Sequence, residues 1–162
     1  GHKSLMTPHD GFRNRITLES FIQEDFVNGI IRAPKDTLID GMSVLTFAIS
    51  RPPKSIQQMI DDYNIDINID IDYFLIHQAN KLIVDRVVKK LKLPTEKVPY
   101  DLEEFGNLGG ASIPSLMVAR IAGPMRGNKP IKMLCSSFGL GLSWGTMIIT
   151  ANNVVIPELI EI

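Results

Sequence analysis

The chain has 162 residues, 44% of them hydrophobic, which suits one ordinary domain or half of a larger two-part fold. A formal net charge of −1 argues against the basic surface that binds nucleic acid, and no apolar run approaches the roughly 18 residues that span a bilayer. The one cysteine, Cys135, excludes an internal disulfide and a Cys-rich zinc site. With no secretory signal visible, we expect a cytoplasmic protein that has no membrane span and does not bind nucleic acid.

Residues 1–40 show no dominant periodicity, and the first helical pattern follows them. "MTPHDGFRN" has the composition of a loop, whereas "TLESFIQEDFVNG" is compatible with a short strand or a helical turn. Asp40 and Gly41 have the character of a helix start, and apolar residues then recur at helical spacing. Because Pro52-Pro53 must break or kink that helix, we expect two helical segments across residues 41–63.

"NIDINIDID", residues 64–72, alternates strictly between isoleucine and a polar residue. In a strand, this alternation puts all the isoleucines on one face and the polar residues on the other. It predicts a solvated strand segment that leads into "YFLI", residues 73–76, a short buried strand. A calcium loop is the alternative, but residues 64–72 lack the central glycine and the final glutamate of the helix–loop–helix calcium site.

The rest of the chain predicts two helices and two strands. "NKLIVDRVVKKLKL" has one apolar face and is an amphipathic helix ended by Pro94. "GASIPSLMVARIAG" is a helix with Ser112 as its N-cap, Pro114 in its first turn and Gly123-Pro124 as its stop. "IKMLCSSF" and "LSWGTMIIT", joined by "GLG", are typical of two buried strands in a hairpin. The order of strand, helices and strands indicates a layered α/β fold.

A single histidine, His77, ends the strand at 73–76 and precedes the next helix. Ligands usually bind at the ends of strands in α/β sheets. A core histidine bonded to a backbone carbonyl is the alternative, since buried imidazoles commonly make such bonds. His77 is therefore a candidate site residue only together with a second group.

Asn107 is the second group, because its neighbours Gly106, Gly109 and Gly110 have no side chains. Glycines permit close approach of a ligand, although a tight loop before a helix would also explain them. Histidine and asparagine together supply two neutral N–H donors. Such a pair can hold the oxygen of a developing enolate or tetrahedral oxyanion.

Three motifs, "HQAN" (77–80), "GNLGGASIP" (106–114) and "FGLGLSWG" (138–145), resemble the C-terminal half of the β-ketoacyl-acyl-carrier-protein synthase III family of the thiolase-like superfamily. "LIDGMSVLTFAI" (38–49) is similar to the family segment that precedes this half. The resemblance implies an α/β, layered thiolase-like half: a mixed sheet with helices packed on it. Residues 1–40 would be a linker or the end of the preceding half, and residues 41–162 the C-terminal domain.

The resemblance also implies a Cys–His–Asn active site. His77 and Asn107 match the family's histidine and asparagine, which bond the malonyl thioester oxygen. Asn80 and Phe138 would line the pocket, and Gly139, Leu140 and Gly141 would place a backbone N–H in the oxyanion hole. Lys81 is a candidate docking contact for the carrier protein, with a solvated helix residue as the equal alternative.

The family's nucleophilic cysteine belongs to the N-terminal half, which this chain does not contain. Cys135 lies in an apolar strand, where burial raises the pKa of a thiol and leaves it inert. A hydrolase built on Cys135, His77 and Asn107 is therefore disfavoured.

Two departures from the family pattern leave the acyl preference open. "GNLGGASIP" stands where the family commonly has "GNTSAASIP", and Leu140 replaces the middle one of three glycines. The backbone N–H survives that replacement, but a leucine disfavours positive φ.

The resemblance implies part of an acyltransferase that takes an acyl group from acyl-CoA and condenses it with malonyl-acyl carrier protein in fatty-acid or related acyl-chain synthesis. Its substrates would be the two thioesters, with no metal and no other cofactor. Its partners would be acyl carrier protein, the enzyme's own N-terminal half and a second subunit of a homodimer; the fragment alone is expected to be inactive. Two alternatives stay open: a non-catalytic half-domain that binds carrier protein, and a same-fold acyltransferase to a hydroxyl or amine acceptor.

Overall fold

The computed structural model describes residue 1, residues 3–27 and residues 29–160, apart from the side chains of residues 26 and 27. The chain divides into two compact units. The first contains Gly1–Thr46 and Leu140–Leu142, and the second contains Phe47–Gly139 and the chain from Ser143 onward. The predicted domains, 1–40 and 41–162, stay a prediction, because a spatial unit does not show which half of a longer protein it belongs to.

The first unit is built around two small antiparallel sheets. Strand β1 (Leu5–Met6) pairs with β4 (Leu38–Ile39), and β2 (Glu24–Val27) pairs with β3 (Ile30–Arg32). The segment "TLESFIQEDFVNG" holds both a 3-10 turn and a strand, except for residue 28, which lies outside the described residues. The 3-10 turn is Leu18–Phe21, and the strand is β2.

The two helical segments predicted across residues 41–63 are confirmed as α1 (Gly41–Ala48) and α2 (Arg51–Asp62). Asp40 starts the first of them, since its Oδ1 accepts the backbone N–H of Ser43 at 3.1 Å. Pro52-Pro53 lies in the first turn of α2, where a helix needs no backbone N–H. The prolines therefore separate the helices without weakening the second one.

The second unit contains a three-stranded mixed sheet of β5 (Tyr73–Ile76), β6 (Ile131–Gly139) and β7 (Ser143–Ala151). The central strand, β6, pairs parallel with β5 and antiparallel with β7. The predicted hairpin is confirmed, and so is the layered α/β class. The prediction that both hairpin strands are buried is wrong for β7, where Met147 is 56% exposed. Strand β7 lies at one edge of this sheet and β5, whose residues 74–76 are buried, lies at the other.

The parallel pair β5 and β6 requires a long crossover, and this crossover carries most of the helices. Its elements are α3 (Lys81–Leu91), a 3-10 turn (Thr95–Lys97), α4 (Leu102–Phe105), a 3-10 turn (Gly109–Ala111), α5 (Ser112–Ala119) and α6 (Ala122–Met125). Helix α2 packs against β6, β7 and α3. A buried cluster joins the sheet to α5 and α6, with Leu75, Met133 and Cys135 from the strands and Leu116, Ile121 and Met125 from the crossover. None of the helices in the described part of the chain is long and apolar enough to cross a membrane.

The strand predicted for residues 64–72 is wrong, because this segment is a series of turns. Asp66 accepts the backbone N–H of Asn68 at 2.8 Å, and Asp70 accepts that of Asp66 at 2.8 Å. The Lys97 ammonium donates to the carbonyls of Asn68 at 2.7 Å and Ile71 at 2.6 Å. Acidic side chains can bond nearby backbone groups in place of the backbone–backbone hydrogen bonds of a sheet. In this segment such side-chain bonds form, and the strand does not.

The helix predicted from the "GASIPSLMVARIAG" pattern begins and ends differently. Ser112 is the first residue of α5, with Ala111 in the N-cap position. The helix ends at Ala119, whereas Gly123-Pro124 lies inside the separate short helix α6. The break occurs where Ile121 leaves the helical conformation and enters the core with 1% of its surface exposed.

Candidate active site

His77 directly follows β5, and its backbone continues the parallel pairing of that strand. Its N–H donates to the carbonyl of Ser136 on β6 at 2.9 Å. The side chain is 6% exposed. The residue that follows β5 is therefore held by the central strand, at the end of the sheet where ligands usually bind.

The His77 ring contacts Phe138 of β6. The ring centroids lie 5.0 Å apart and the planes are perpendicular, an edge-to-face arrangement. Phe138 in turn lies edge-on to Phe47 at 6.3 Å. The structure thus brings together two of the predicted site residues, His77 and Phe138, with the aromatic ring against the imidazole.

Burial lowers the pKa of His77 below its ordinary value of 6.5. Desolvation penalises the charged imidazolium. No group in the described part of the chain bonds the buried Nδ1. His77 is therefore a neutral imidazole at neutral pH.

The free energy of unfolding should increase with pH through the range in which a free histidine titrates. Because the folded-state pKa of His77 is depressed, the unfolded chain binds more protons at pH values between the two pKa values. The contribution of His77 to the free energy of unfolding is fully present above the pKa of a free histidine, about 6.5. It is lost as the pH falls through the lower pKa of the folded state. Urea unfolding of the wild type and His77→Leu between about pH 5 and pH 8 should show a shallower pH slope for the variant. Equal slopes would contradict this account.

Asn107 lies in the loop between α4 and the following 3-10 turn, and it is exposed. Gly106 precedes it with φ of 64°, a conformation that favours glycine at the end of a helix. The side-chain Oδ1 accepts the backbone N–H of Gly109 at 3.0 Å. Since this bond occupies the amide oxygen, the Nδ2 group is the end left to donate.

In the part of the chain that the structure describes, no hydrogen bond or ring contact joins His77 directly to Asn107. The two segments are connected by Gln78, which is fully buried. Its Nε2 donates to the carbonyl of Ile76 at 2.8 Å, and its Oε1 accepts the backbone N–H of Asp101 at 3.4 Å. Sequence reasoning missed this residue, although an amide directly after an apolar strand was an available signal.

The other predicted residues of the "HQAN" turn have local partners. Asn80 caps α3, since its Oδ1 accepts the backbone N–H of Ile83 at 2.9 Å. The Lys81 ammonium lies 3.5 Å from a carboxylate oxygen of Glu103 and 5.4 Å from the centroid of the Tyr100 ring. These contacts tie the start of α3 to the segment around α4. Roles for Asn80 and Lys81 towards a substrate or carrier protein stay predictions.

The glycine-rich turn after Phe138 has residues in both compact units. Gly139 ends β6 and pairs with Ser143 of β7. Leu140 and Gly141 belong to the first unit, and Leu140 is 66% exposed. Leu140 is not among the described residues that have positive φ, so leucine fits its backbone conformation there. The oxyanion-hole role of this turn stays a prediction.

Cys135 lies on β6 inside the core and is 4% exposed. Burial raises the pKa of its thiol to about 11. A thiol of this kind is protonated and unreactive at neutral pH. Cys135 is therefore unsuited to the role of nucleophile.

Solved structures share this arrangement of sheet, crossover helices and hairpin. The 3-oxoacyl-(acyl-carrier-protein) synthase from Burkholderia xenovorans LB400 superposes with a TM-score of 0.82 at 26% identity, over 98% of this chain and 43% of that one. The synthase III from Thermus thermophilus superposes with a TM-score of 0.68 at 27% identity, over 95% of this chain and 43% of that one. The fold is that of a thiolase-like α/β half.

Sequence comparison gives the family. The model of the 3-oxoacyl-[acyl-carrier-protein (ACP)] synthase III C terminal matches residues 63–151. The β-ketoacyl-[acyl-carrier-protein] synthase III of Streptococcus pneumoniae (strain Hungary19A-6) is 36% identical over 153 residues, 93% of this chain and 41% of that protein. The chain belongs to the family of 3-oxoacyl-[acyl-carrier-protein] synthase III C-terminal domains, and it spans about two fifths of the length of such a relative.

Proposed function

We propose that this chain is the C-terminal part of a 3-oxoacyl-[acyl-carrier-protein] synthase III that acts in fatty-acid or related acyl-chain synthesis. The complete enzyme would transfer an acyl group from acyl-CoA to a cysteine and then condense it with malonyl-acyl carrier protein. The family membership and the relative at 36% identity support this activity.

The observation that carries the proposal is the chemical state of the two side chains. His77 is buried, neutral and beside an aromatic ring, and the Asn107 amide has its oxygen occupied by Gly109. Both side chains can therefore offer an N–H to a substrate oxygen without carrying charge themselves. Donors of this kind act most strongly in a site that excludes water.

In the proposed reaction, His77 and Asn107 bond the thioester oxygen of the malonyl group. The bond between the α carbon and the carboxylate breaks, and CO2 leaves. The electron pair of that bond forms an enolate whose negative charge lies on the thioester oxygen. The enolate carbon then attacks the carbonyl carbon of the acyl-cysteine, and the cysteine leaves as a thiolate. The two donors stabilise the enolate more than the neutral thioester, which lowers the barrier to decarboxylation.

A buried Nδ1 without a partner favours the tautomer with its proton on Nε2. A buried N–H without an acceptor is costlier than an acceptor without a donor. We therefore propose Nε2–H as the donor of His77. Phe138 would keep water away from the ring, and the turn Gly139–Gly141 would supply a backbone N–H for the acyl-transfer step.

Cys135 is unsuited to be the nucleophile, because its thiol is buried with its pKa raised to about 11. We propose that the family's N-terminal half supplies the nucleophile, that the complete enzyme is a homodimer, and that carrier protein docks near Lys81. Acyl-CoA and acyl-carrier-protein thioesters would be the substrates, without a metal or a further cofactor.

The test is to measure the mass of the native polypeptide and then assay the complete protein with acyl-CoA and malonyl-acyl carrier protein. We expect a polypeptide more than twice as long, which releases CO2 and forms 3-oxoacyl-carrier protein, while the 162-residue chain alone forms none. Product formed on a hydroxyl or amine acceptor without malonyl-carrier protein would contradict condensation. Binding of carrier protein by the complete protein without turnover would contradict catalysis altogether.

A further inference from the structure

Three polar residues form a connection between the segment of His77 and the segment of Asn107. They are Gln78, which is 0% exposed, Asp101, which is 1% exposed, and the half-buried Ser115. An amide or a carboxylate at such depth is costly unless its hydrogen bonds are made. The burial of these side chains therefore depends on their specific hydrogen bonds and not on apolar packing alone.

Gln78 spans the gap between β5 and the start of α4. Its Nε2 donates to the carbonyl of Ile76, the last residue of β5, at 2.8 Å. Its Oε1 accepts the backbone N–H of Asp101 at 3.4 Å. Both ends of one rigid amide are thus occupied, one on the strand that leads to His77 and one on the residue that starts α4.

Asp101 forms hydrogen bonds with residues of two helices, α4 and α5. Its carbonyl accepts the backbone N–H groups of Glu104 at 3.1 Å and Phe105 at 3.0 Å, which begins α4. Its carboxylate Oδ2 accepts the hydroxyl of Ser115 on α5 at 2.7 Å. The loop that carries Asn107 therefore runs between two anchored points, Asp101 before it and Ser115 after it.

One turn of helix separates Asp101 from Asn107. Within it, the N–H of Gly106 donates to the carbonyl of Leu102 at 3.0 Å. A displacement of Asp101 would move Gly106 through this hydrogen-bonded turn, and Asn107 is the next residue along the chain. Catalysis by oriented donors is sensitive to displacements of about 1 Å.

We propose that Gln78 is a positioning residue that sets the placement of Asn107 relative to His77 through Asp101, with Ser115 as the second anchor. The inference rests on the proposed function for its catalytic consequence. Gln78 touches no reacting atom in this scheme. It acts by holding the start of α4 against the end of β5.

The variants are chosen to remove each contact while preserving volume. Gln78→Met keeps the length of the side chain but removes both hydrogen bonds. Ser115→Ala removes the hydroxyl that bonds Asp101, and Ser115→Thr keeps it as the conservative rescue. Gln57→Met is the matched control, because among the described residues the exposed Gln57 amide bonds only Asp61 on its own helix, at 2.8 Å.

The first measurement is amide hydrogen exchange in the 162-residue chain. The reporters are the N–H groups of Glu104 and Phe105, bonded to Asp101, and that of Gly109, bonded to the Asn107 side chain. We expect Gln78→Met to speed exchange at all three by about tenfold, the size expected when a buried polar group loses its partner. Ser115→Ala should act in the same direction, while Ser115→Thr and Gln57→Met should leave the rates unchanged. If Gln78→Met does not fold, the test is the comparison of exchange rates at the same three N–H groups between Ser115→Ala and Ser115→Thr. Equal rates in these two variants would contradict the inference.

The second measurement uses the complete enzyme. Gln78→Met should lower kcat for malonyl decarboxylation by about tenfold or more, with KM and cysteine acylation unchanged. A folded Gln78→Met with wild-type exchange at the three reporters would overturn the inference, as would an equal loss of acylation and decarboxylation. A wild-type enzyme without decarboxylation would refute the proposed function, and the exchange measurement would still decide the positioning role.

Discussion

His77→Ala in the complete enzyme should reduce malonyl decarboxylation by about 10²–10³-fold, the effect of removing one donor from a developing oxyanion. Asn107→Ala should have an effect of the same order, since it removes the other donor. Acylation of the cysteine should remain largely intact, because neither side chain holds the acyl-CoA carbonyl in the proposed scheme. Release of CO2 measures the first step, and the mass of the acylated enzyme measures the second.

Asn68→Ala is the control for Asn107→Ala. Asn68 is an exposed asparagine in the turns before β5, and the Lys97 ammonium binds its backbone carbonyl and not its side chain. Its replacement should leave both steps unchanged. Equal loss of decarboxylation and acylation in His77→Ala or Asn107→Ala would contradict the roles assigned to these residues.

Ile71→Ala should lower the free energy of unfolding by about 2–5 kcal/mol, whereas Ile69→Ala should change it by less than about 0.5 kcal/mol. The Ile71 side chain is 0% exposed and the Ile69 side chain 79% exposed. Truncating the first leaves a cavity in the core, and truncating the second removes methyl groups that water already reaches. Urea unfolding of both variants under the same conditions measures the difference.

The pair is a sharp comparison, because the two isoleucines hold equivalent positions in a strict alternation. A strand with one buried face would make the two substitutions about equally costly. Similar destabilisation by both would therefore favour the strand that the alternation predicts over the turns in the structure. A large effect at Ile71 alone would support the turns.

The elements that the sequence predicted well are those whose signals are local. Helix α2 follows from Pro52-Pro53 at its start and an apolar stripe along its length. Helix α3 follows from its amphipathic pattern, and β5 and β6 from short apolar runs that suit buried strands. The extents of these elements depend on spacing and chain stereochemistry, which residues close in sequence decide among themselves.

The errors occurred where distant contacts override a local pattern. The alternation at residues 64–72 forms turns, in which Lys97, from the crossover, binds carbonyls in addition to the local bonds of Asp66 and Asp70. The pattern of α5 continues past Arg120, yet the helix ends so that Ile121 can enter the core. Strand β7 has a core-like composition, yet Trp144 is 46% exposed and Met147 is 56% exposed.

By itself, the sequence of this protein determined the class of fold and the order of most elements, and it predicts His77 and Asn107 as the two residues of the active site. Short motifs are sufficient for this, because each motif lies within one turn or one strand end. Only the tertiary structure decided that His77 is desolvated beside Phe138 and that Gln78 and Asp101 connect the histidine segment to the asparagine loop. These properties depend on burial and on hydrogen bonds between residues far apart in the chain, which form only when the sheet and the crossover pack together.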